Sequence, residues 1–183
     1  DIKSKYKDAN AVGDYYVNWG SEANNIKAGY KTPIWDSENI SNEMDKMVFV
    51  KNTGDYNAYV RLYFAFEAGN YVRLDRFEEM VHLNKNTADW TWTWNNNLAE
   101  IDGTRCFIAW ATYQKPVAPG ELTDISLAQI ALDRTAINDH SRAFGDTYEV
   151  KVFAQGIQSD GFTSPSVAIA KVFDNSIPFK DVK

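Results

Sequence analysis

Apolar and polar residues alternate along several short runs of the chain, and the clearest two lie on either side of a turn between residues 44 and 66. The first run is Met44–Lys51 and the second is Asn57–Phe66. Between them, Asn52-Thr53-Gly54-Asp55 supplies residues typical of tight turns. Two alternating runs joined by such a turn predict a pair of antiparallel strands.

The same two-residue period recurs over most of the chain, and it ends each time near residues typical of turns. Because each predicted strand has one apolar face to bury, about eight short strands predict an all-β fold, a jelly-roll-type antiparallel β-sandwich. The predicted strands are Val12–Trp19, Lys31–Trp35, Met44–Lys51, Asn57–Phe66, Trp90–Trp94, Arg105–Gln114, Leu122–Ile130 and Thr147–Ile157.

Helical spacing is confined to two short segments, which we expect in the connections of the sandwich. Leu74, Phe77 and Val81 are three and four residues apart, so they predict a helical turn. Ser164-Pro165 provides a helix N-cap followed by a proline suited to the first helical position. The polar segment 132–145 has no period and is predicted to be a loop.

Length, composition and charge narrow the class of protein. The chain has 183 residues with 14% aromatic and 24% charged content, which predicts a single folded domain over residues 1–183 with a sizeable core. The net charge of −6, without a basic block, argues against nucleic acid as a partner. No apolar run has the length of a transmembrane helix, so we expect no membrane span. The sequence does not begin with a signal peptide, and removal of one before Asp1 is compatible with the chain.

The residue types that carry most enzyme chemistry are sparse. His82 and His140 are far apart and match no metal-binding spacing. We expect both to be solvated, His82 on the polar side of the predicted helical turn and His140 in the predicted loop. Cys106 lies between apolar residues of a predicted strand, which favours a buried, inert thiol. No serine-nucleophile or phosphate-binding motif is present. We therefore predict a non-enzymatic protein without a cofactor, a metal site or catalytic residues.

Three tryptophans form the most unusual pattern in the sequence. Trp90, Trp92 and Trp94 alternate with threonines, so in a strand their indoles share one face. Such a strip could stack sugar rings or dock a partner. The alternative, favoured by the free use of tryptophan elsewhere in the chain, is the inner face of a sandwich strand.

The N-terminal segment also alternates. Ile2, Ser4 and Tyr6 fall on one face of an extended chain and three lysines fall on the other. A terminal segment is commonly frayed, but this one could add to an exposed sheet edge of the same or another molecule. The candidate strand consists of Asp1, Ile2, Lys3, Ser4, Lys5, Tyr6 and Lys7.

Four segments resemble the TasA and camelysin (CalY) family, a group of exported proteins of Gram-positive bacteria processed by the signal peptidase SipW. They are DIKSK at 1–5, VKNTGDYNAYVRL at 50–62, APGELT at 118–123 and FAQGIQSDGF at 153–162. The second and fourth are the most specific. Residues 70–97, which include the tryptophan strip, depart from the family.

The resemblance implies a jelly-roll sandwich exported to the cell surface or biofilm matrix, with self-association or related matrix proteins as partners. In some members, the N-terminal strand of one subunit completes the sheet of the next within fibres. Carried over to this chain, Asp1–Lys7 would be that donor strand, within a mobile segment over residues 1–10. A carbohydrate-binding role for the tryptophan strip is the alternative function. The metallopeptidase label attached to camelysin has no counterpart in the histidines of this sequence.

Overall fold

A computed structural model of the protein describes residues 40–133, 148–173 and 178, which form seven strands and two short helices. The predicted strands Val12–Trp19 and Lys31–Trp35, most of the predicted loop over 132–145, and the N-terminal segment lie outside the described residues. The elements, in chain order, are β1 Ile40–Val48, β2 Ala58–Glu67, α1 Leu74–Met80, β3 Val81–Lys85, β4 Trp90–Ile101, β5 Thr104–Tyr113, β6 Leu127–Asp133, β7 Val150–Gln158 and α2 Pro165–Val172.

The strands form two antiparallel sheets, with the orders β1-β6-β3 and β4-β5-β2-β7. This confirms the predicted all-β sandwich with short helices in its connections. Strand β4 pairs with β5, β3 with β6, and β2 with β7. These pairs are nested in sequence around the β4–β5 hairpin, which is the way a jelly-roll is wound.

The predicted hairpin between residues 44 and 66 is wrong. Strand β1 pairs with β6 in the three-stranded sheet, whereas β2 lies between β5 and β7 in the other sheet. The turn residues after β1 therefore carry the chain from one sheet to the other. Alternation located both strands, although β1 begins and ends earlier, at Ile40 and Val48, than the predicted Met44–Lys51. A local pattern does not specify which strand pairs with which.

The core lies between the sheets and is rich in aromatic rings. Val60, Leu62, Phe64 and Phe66 point inward from β2 and meet apolar residues of β3 and β6. The rings of Phe64 and Phe66 are stacked with their centroids 5.8 Å apart. Residues on the opposite face of β2 form a second buried cluster with side chains of β4 and β5.

The β4–β5 hairpin turns through Asp102 and Gly103, with Ile101 paired to Thr104. Both turn residues have positive φ, 51° and 78°, as a two-residue type I′ turn requires. Further along, the register of the two strands shifts between Trp94 and Leu98. The strand continues through this irregularity to Ile101, seven residues beyond its predicted end.

The segment predicted as one helical turn divides into two elements. Helix α1 ends at Met80 and strand β3 begins at Val81, where it pairs with β6. Phe77 is buried in the core as the helical spacing predicts, but Val81 enters the core from a strand. The predicted strand over 122–130 also starts later, at Leu127. The N-cap prediction is confirmed, since the Ser164 hydroxyl accepts a hydrogen bond from the Val167 backbone N–H at 3.4 Å.

Candidate functional site

The two most specific sequence segments, 50–62 and 153–162, meet in the fold. They are joined by the β2–β7 pairing, which runs from Ala58 opposite Gln158 to Phe66 opposite Val150. The turn before β2 and the end of β7 therefore lie side by side. Between them is an open cleft, which we call the β2–β7 cleft.

A single buried amide organises the turn that forms one wall of this cleft. The Asn52 side-chain nitrogen donates to the carbonyls of Tyr56, at 2.7 Å, and Val117, at 2.8 Å. The side-chain oxygen accepts from the Gly54 backbone N–H at 3.0 Å. Because the amide is buried and all three bonds go to backbone, the path of the turn is fixed by this one residue.

Backbone hydrogen bonds attach both ends of the turn to the sandwich. Asn52 exchanges bonds with the 120–121 segment, and Ala58 exchanges a pair of bonds with Val117, at 3.0 and 2.8 Å. The Ser159 N–H donates to the Asn57 carbonyl at 2.8 Å, which ties the turn to the end of β7. Backbone hydrogen bonds thus hold this wall of the cleft at both ends of the turn.

The cleft has a volume of about 310 Å³, and the turn and β7 both contribute to its lining. Tyr56 is 62% exposed, which makes it the most exposed aromatic residue in the described part of the chain. Asp55 supplies a carboxylate, and Gly156 and Gln158 line the β7 side. A Cβ added at Gly156 would meet only the Tyr59 carbonyl oxygen, at 4.0 Å. The cleft therefore combines an aromatic ring, hydrogen-bonding groups and an unobstructed stretch of strand.

The three tryptophans of the predicted strip share one face, and that face is turned toward the core. Trp90 is 1% exposed and its indole N–H donates to the Asp124 carbonyl at 3.1 Å. Trp92 stacks on Phe64 with 4.8 Å between ring centroids, and its N–H donates to the Asn86 carbonyl. These contacts agree with the inner-face interpretation of the alternation.

Trp92 and Trp94 are half-buried, and a lysine from the facing sheet covers part of their surface. The Lys85 ammonium lies 5.9 Å from the Trp92 ring centroid and 5.6 Å from that of Trp94. Such cation–π contacts stabilise an ammonium over an aromatic face. Trp94 also contacts Phe66 at 5.4 Å. Trp92 and Trp94 are thus partly covered by core rings and by Lys85, and Trp90 is buried.

A buried polar network holds the start of β4 in place. Asp89 accepts hydrogen bonds from the Lys115 ammonium at 2.7 Å and from the Asn86 amide at 3.1 Å. The Asn86 side-chain oxygen accepts from the backbone N–H groups of Ala88 and Asp89. The bond to Asp89 raises the pKa of Lys115. Because these groups form hydrogen bonds with one another, we interpret the network as stabilising the fold.

A second buried carboxylate lies nearby. The Tyr113 hydroxyl donates to Asp124 at 2.9 Å, and both side chains are buried. Burial, with the hydrogen bond to Asp124 as a second cause, raises the pKa of Tyr113 well above its ordinary value. The phenol is thus held neutral and donates a hydrogen bond to the carboxylate.

The histidine and cysteine predictions have different outcomes. His82, expected to be solvated on a helical turn, is instead a half-buried residue of β3 whose Nε2 lies 2.8 Å from Asp133 of β6. His140 lies outside the described residues, as does Asp1–Lys7. Cys106 is 2% exposed, and burial raises the pKa of its thiol to about 11, which confirms the buried-thiol prediction.

Over residues 40–133 and 148–173, no group of three or more His, Cys, Asp and Glu side chains is placed to hold a metal ion. Neither of the two described helices has the length and apolar run needed to cross a membrane. A comparison of the chain with protein-family models, curated proteins and solved structures found no match. The resemblance to the TasA and camelysin group therefore rests on the four sequence segments alone.

Sequence reasoning treated Asn52–Asp55 only as turn chemistry and did not single out Tyr56 or Gly156. The sequence does place Tyr56 directly after these turn residues, but the exposure of its ring is known only from the structure. What the sequence could not provide is the pairing of β2 with β7. That pairing brings residues a hundred positions apart into one cleft.

Proposed function

We propose that the protein is an exported, non-enzymatic building block of the cell surface or extracellular matrix that assembles by addition of its N-terminal segment to a neighbouring copy. The observation that supports this most directly is that the described residues form all but one strand of a jelly-roll. Three nested strand pairs are present, β4–β5, β3–β6 and β2–β7. A complete jelly-roll has a fourth pair, in which an eighth strand lies beside β1.

An eighth strand beside β1 would extend the three-stranded sheet. Among the described residues, β1 pairs with β6 on one side and with no strand on the other. The outer edge of a nine-residue strand presents a row of backbone donors and acceptors, which can pair with an extended chain from another molecule. A strand donated head to tail makes a contact that does not close, so repeated addition produces a filament.

The N-terminal segment has the properties of such a strand. Ile2, Ser4 and Tyr6 alternate with lysines, so one face is suited to packing and the other to solvent. Three of the first seven residues are lysine, whereas the whole chain has a net charge of −6. A basic segment is attracted to the acidic body of another copy, which favours association between molecules.

The primary test compares the full chain with a variant lacking Asp1–Lys7, by size-exclusion chromatography and electron microscopy at increasing concentration. We expect filaments or a ladder of oligomers for the full chain and monomers for the truncated chain. The double variant Ile2→Asp/Tyr6→Asp should also fail to assemble, because it places charge on the packing face. Its matched control, Lys3→Arg/Lys5→Arg, changes the other face without changing its charge and should still assemble.

The acceptor edge is tested by cross-linking. In a Ser4→Cys chain, a second cysteine placed at each of residues 41–46 in turn should give intermolecular disulfides along β1. A cysteine at Phe153, on the edge strand of the other sheet, serves as the control and should not. Assembly that survives removal of Asp1–Lys7, or cross-links formed equally well at residue 153, would refute this mechanism.

A further inference from the structure

We propose that the β2–β7 cleft is a binding site for a sugar ring that carries no anionic group, as presented by a neutral or amino-substituted glycan. The site is distinct from the sheet edge described above, because it lies on the four-stranded sheet. It also differs from the tryptophan strip, whose rings pack against the core. The inference goes beyond assembly and does not depend on it.

The aromatic surface of the cleft is supplied by Tyr56. With 62% of its surface exposed, this ring makes little contact with the rest of the protein. Its backbone carbonyl is nevertheless fixed by the 2.7 Å bond from Asn52. An exposed ring on a fixed backbone can stack on the apolar face of a pyranose with little loss of conformational entropy.

The polar groups of the cleft match a ligand rich in hydroxyl groups. Asp55 provides two acceptor oxygens, and Gln158 provides an amide that both donates and accepts. The Gln158 side chain is already oriented by a 3.1 Å hydrogen bond to Asp160. Adjacent acceptors and donors beside an aromatic ring are what vicinal hydroxyl groups require.

Charge selects among sugars. Asp55 is the one carboxylate among the described lining residues, and these include no lysine or arginine. A ligand with a carboxylate, sulfate or phosphate would therefore meet repulsion without a compensating cation. Neutral sugars, and amino sugars whose ammonium can approach Asp55, are favoured.

The size and floor of the cleft suit one or two sugar rings. A volume of about 310 Å³ is at the lower end of ligand sites. Gly156 leaves the strand surface open, since no atom lies closer than 4.0 Å to where its Cβ would stand. A side chain at this position would project into the space that the ring should occupy.

The experiment is titration of the ¹⁵N-labelled protein with chitohexaose, cellohexaose and oligogalacturonate, followed by amide chemical shifts and calorimetry. We expect a neutral or amino-sugar oligomer to shift amides of residues 52–58 and 155–159, with weak affinity. Oligogalacturonate should produce no shifts there. Tyr56→Ala should weaken binding by about tenfold or more, whereas Tyr56→Phe should retain it within a few-fold.

Gly156→Leu provides a second, independent variant, because it fills the cleft without requiring an unusual backbone conformation. It should abolish the shifts while leaving the free energy of unfolding close to that of the parent protein. Phe153→Ala is the matched control, since it removes another exposed aromatic on β7 that does not line the cleft. It should bind normally.

The proposal is overturned if none of the neutral or amino-sugar oligomers shifts the cleft amides, if oligogalacturonate binds equally well, or if Gly156→Leu binds like the parent. Shifts centred on Trp92 and Trp94 would also overturn it. Assembly is measured separately: the Asp1–Lys7 deletion should leave glycan binding intact, and Tyr56→Ala should leave assembly intact. Failure of one proposal is therefore distinguishable from failure of the other.

Discussion

The side-chain amide of Asn52 donates a 2.7 Å hydrogen bond to the carbonyl of Tyr56, so a buried polar group fixes the backbone of an exposed aromatic residue. The same amide donates a hydrogen bond to the carbonyl of Val117, which lies in the connection between β5 and β6. Placement of the exposed ring thus depends on residues far apart in sequence. Loss of this amide should affect both the stability of the fold and the shape of the cleft.

Asn52→Ala should lower the free energy of unfolding by about 1–3 kcal/mol, because it removes the buried amide that bonds to the carbonyls of Tyr56 and Val117 and to the Gly54 N–H. Denaturant unfolding of the variant and the parent measures this difference. Thr53→Ala, at the exposed neighbouring position, is the control and should change stability by less than about 0.5 kcal/mol. Equal effects for the two variants would show that the amide does not organise the turn.

Trp90→Ala should destabilise the protein by about 3–5 kcal/mol, because the ring is fully buried in the core and its N–H is bonded to the Asp124 carbonyl. Thr91→Ala, one residue along the same strand but exposed, should cost less than about 1 kcal/mol. Thermal or denaturant unfolding checks both. A small effect of the tryptophan substitution would mean that the start of β4 is not held by the core.

Alkaline pH should destabilise the protein in part through Cys106. Burial raises the pKa of this thiol from 9.0 to about 11, so the folded state keeps its proton at pH values where the unfolded state loses it. The stability that depends on the neutral thiol is fully present below about pH 9 and is lost as pH rises toward 11. The loss is on the order of 2 kcal/mol.

Comparison with Cys106→Ala isolates this contribution from the tyrosines, whose pKa values are also raised by burial. The difference in unfolding free energy between parent and variant should shrink as pH increases from about 8 to about 11. A difference that stays constant over this range would contradict the prediction. The native thiol should also react slowly with a disulfide reagent at neutral pH.

The sequence predicted the strand bounds best in β2 and β5, which are buried over most of their length. It failed where polar residues enter a strand. Asn95, Asn96 and Asn97 suggested that the strand ends at Trp94, whereas pairing with β5 resumes at Leu98 after a register shift. Tertiary pairing there outweighs the low strand propensity of asparagine.

The pairing of strands was also predicted wrongly. Because the candidate site depends on strand pairing, the sequence could not predict the site either. Two runs separated by turn residues predicted a hairpin, but β1 and β2 lie in different sheets because the turn segment crosses between them. Local pattern contains no information on such crossings. The tryptophan alternation, by contrast, predicted correctly that the three indoles share one face of the strand. The two-residue period of a strand is a local property, which a local pattern can show. The β2–β7 cleft depends on long-range pairing and could not be anticipated.

The β4–β5 turn gives the last prediction. Gly103 has a φ of 78°, in the left-handed region that L-residues disfavour, and a Cβ there would meet nothing within 4 Å. Gly103→Ala should therefore destabilise the protein by about 1 kcal/mol through backbone strain alone. Gly103→Asn should recover part of this loss, because asparagine tolerates positive φ.

Gly156→Ala is the matched control: its backbone lies outside that region, so it should be neutral or stabilise by a few tenths of a kcal/mol. Unfolding measurements on the three variants distinguish conformational strain from packing. If alanine at 103 and at 156 had the same effect, the turn would not require a left-handed residue.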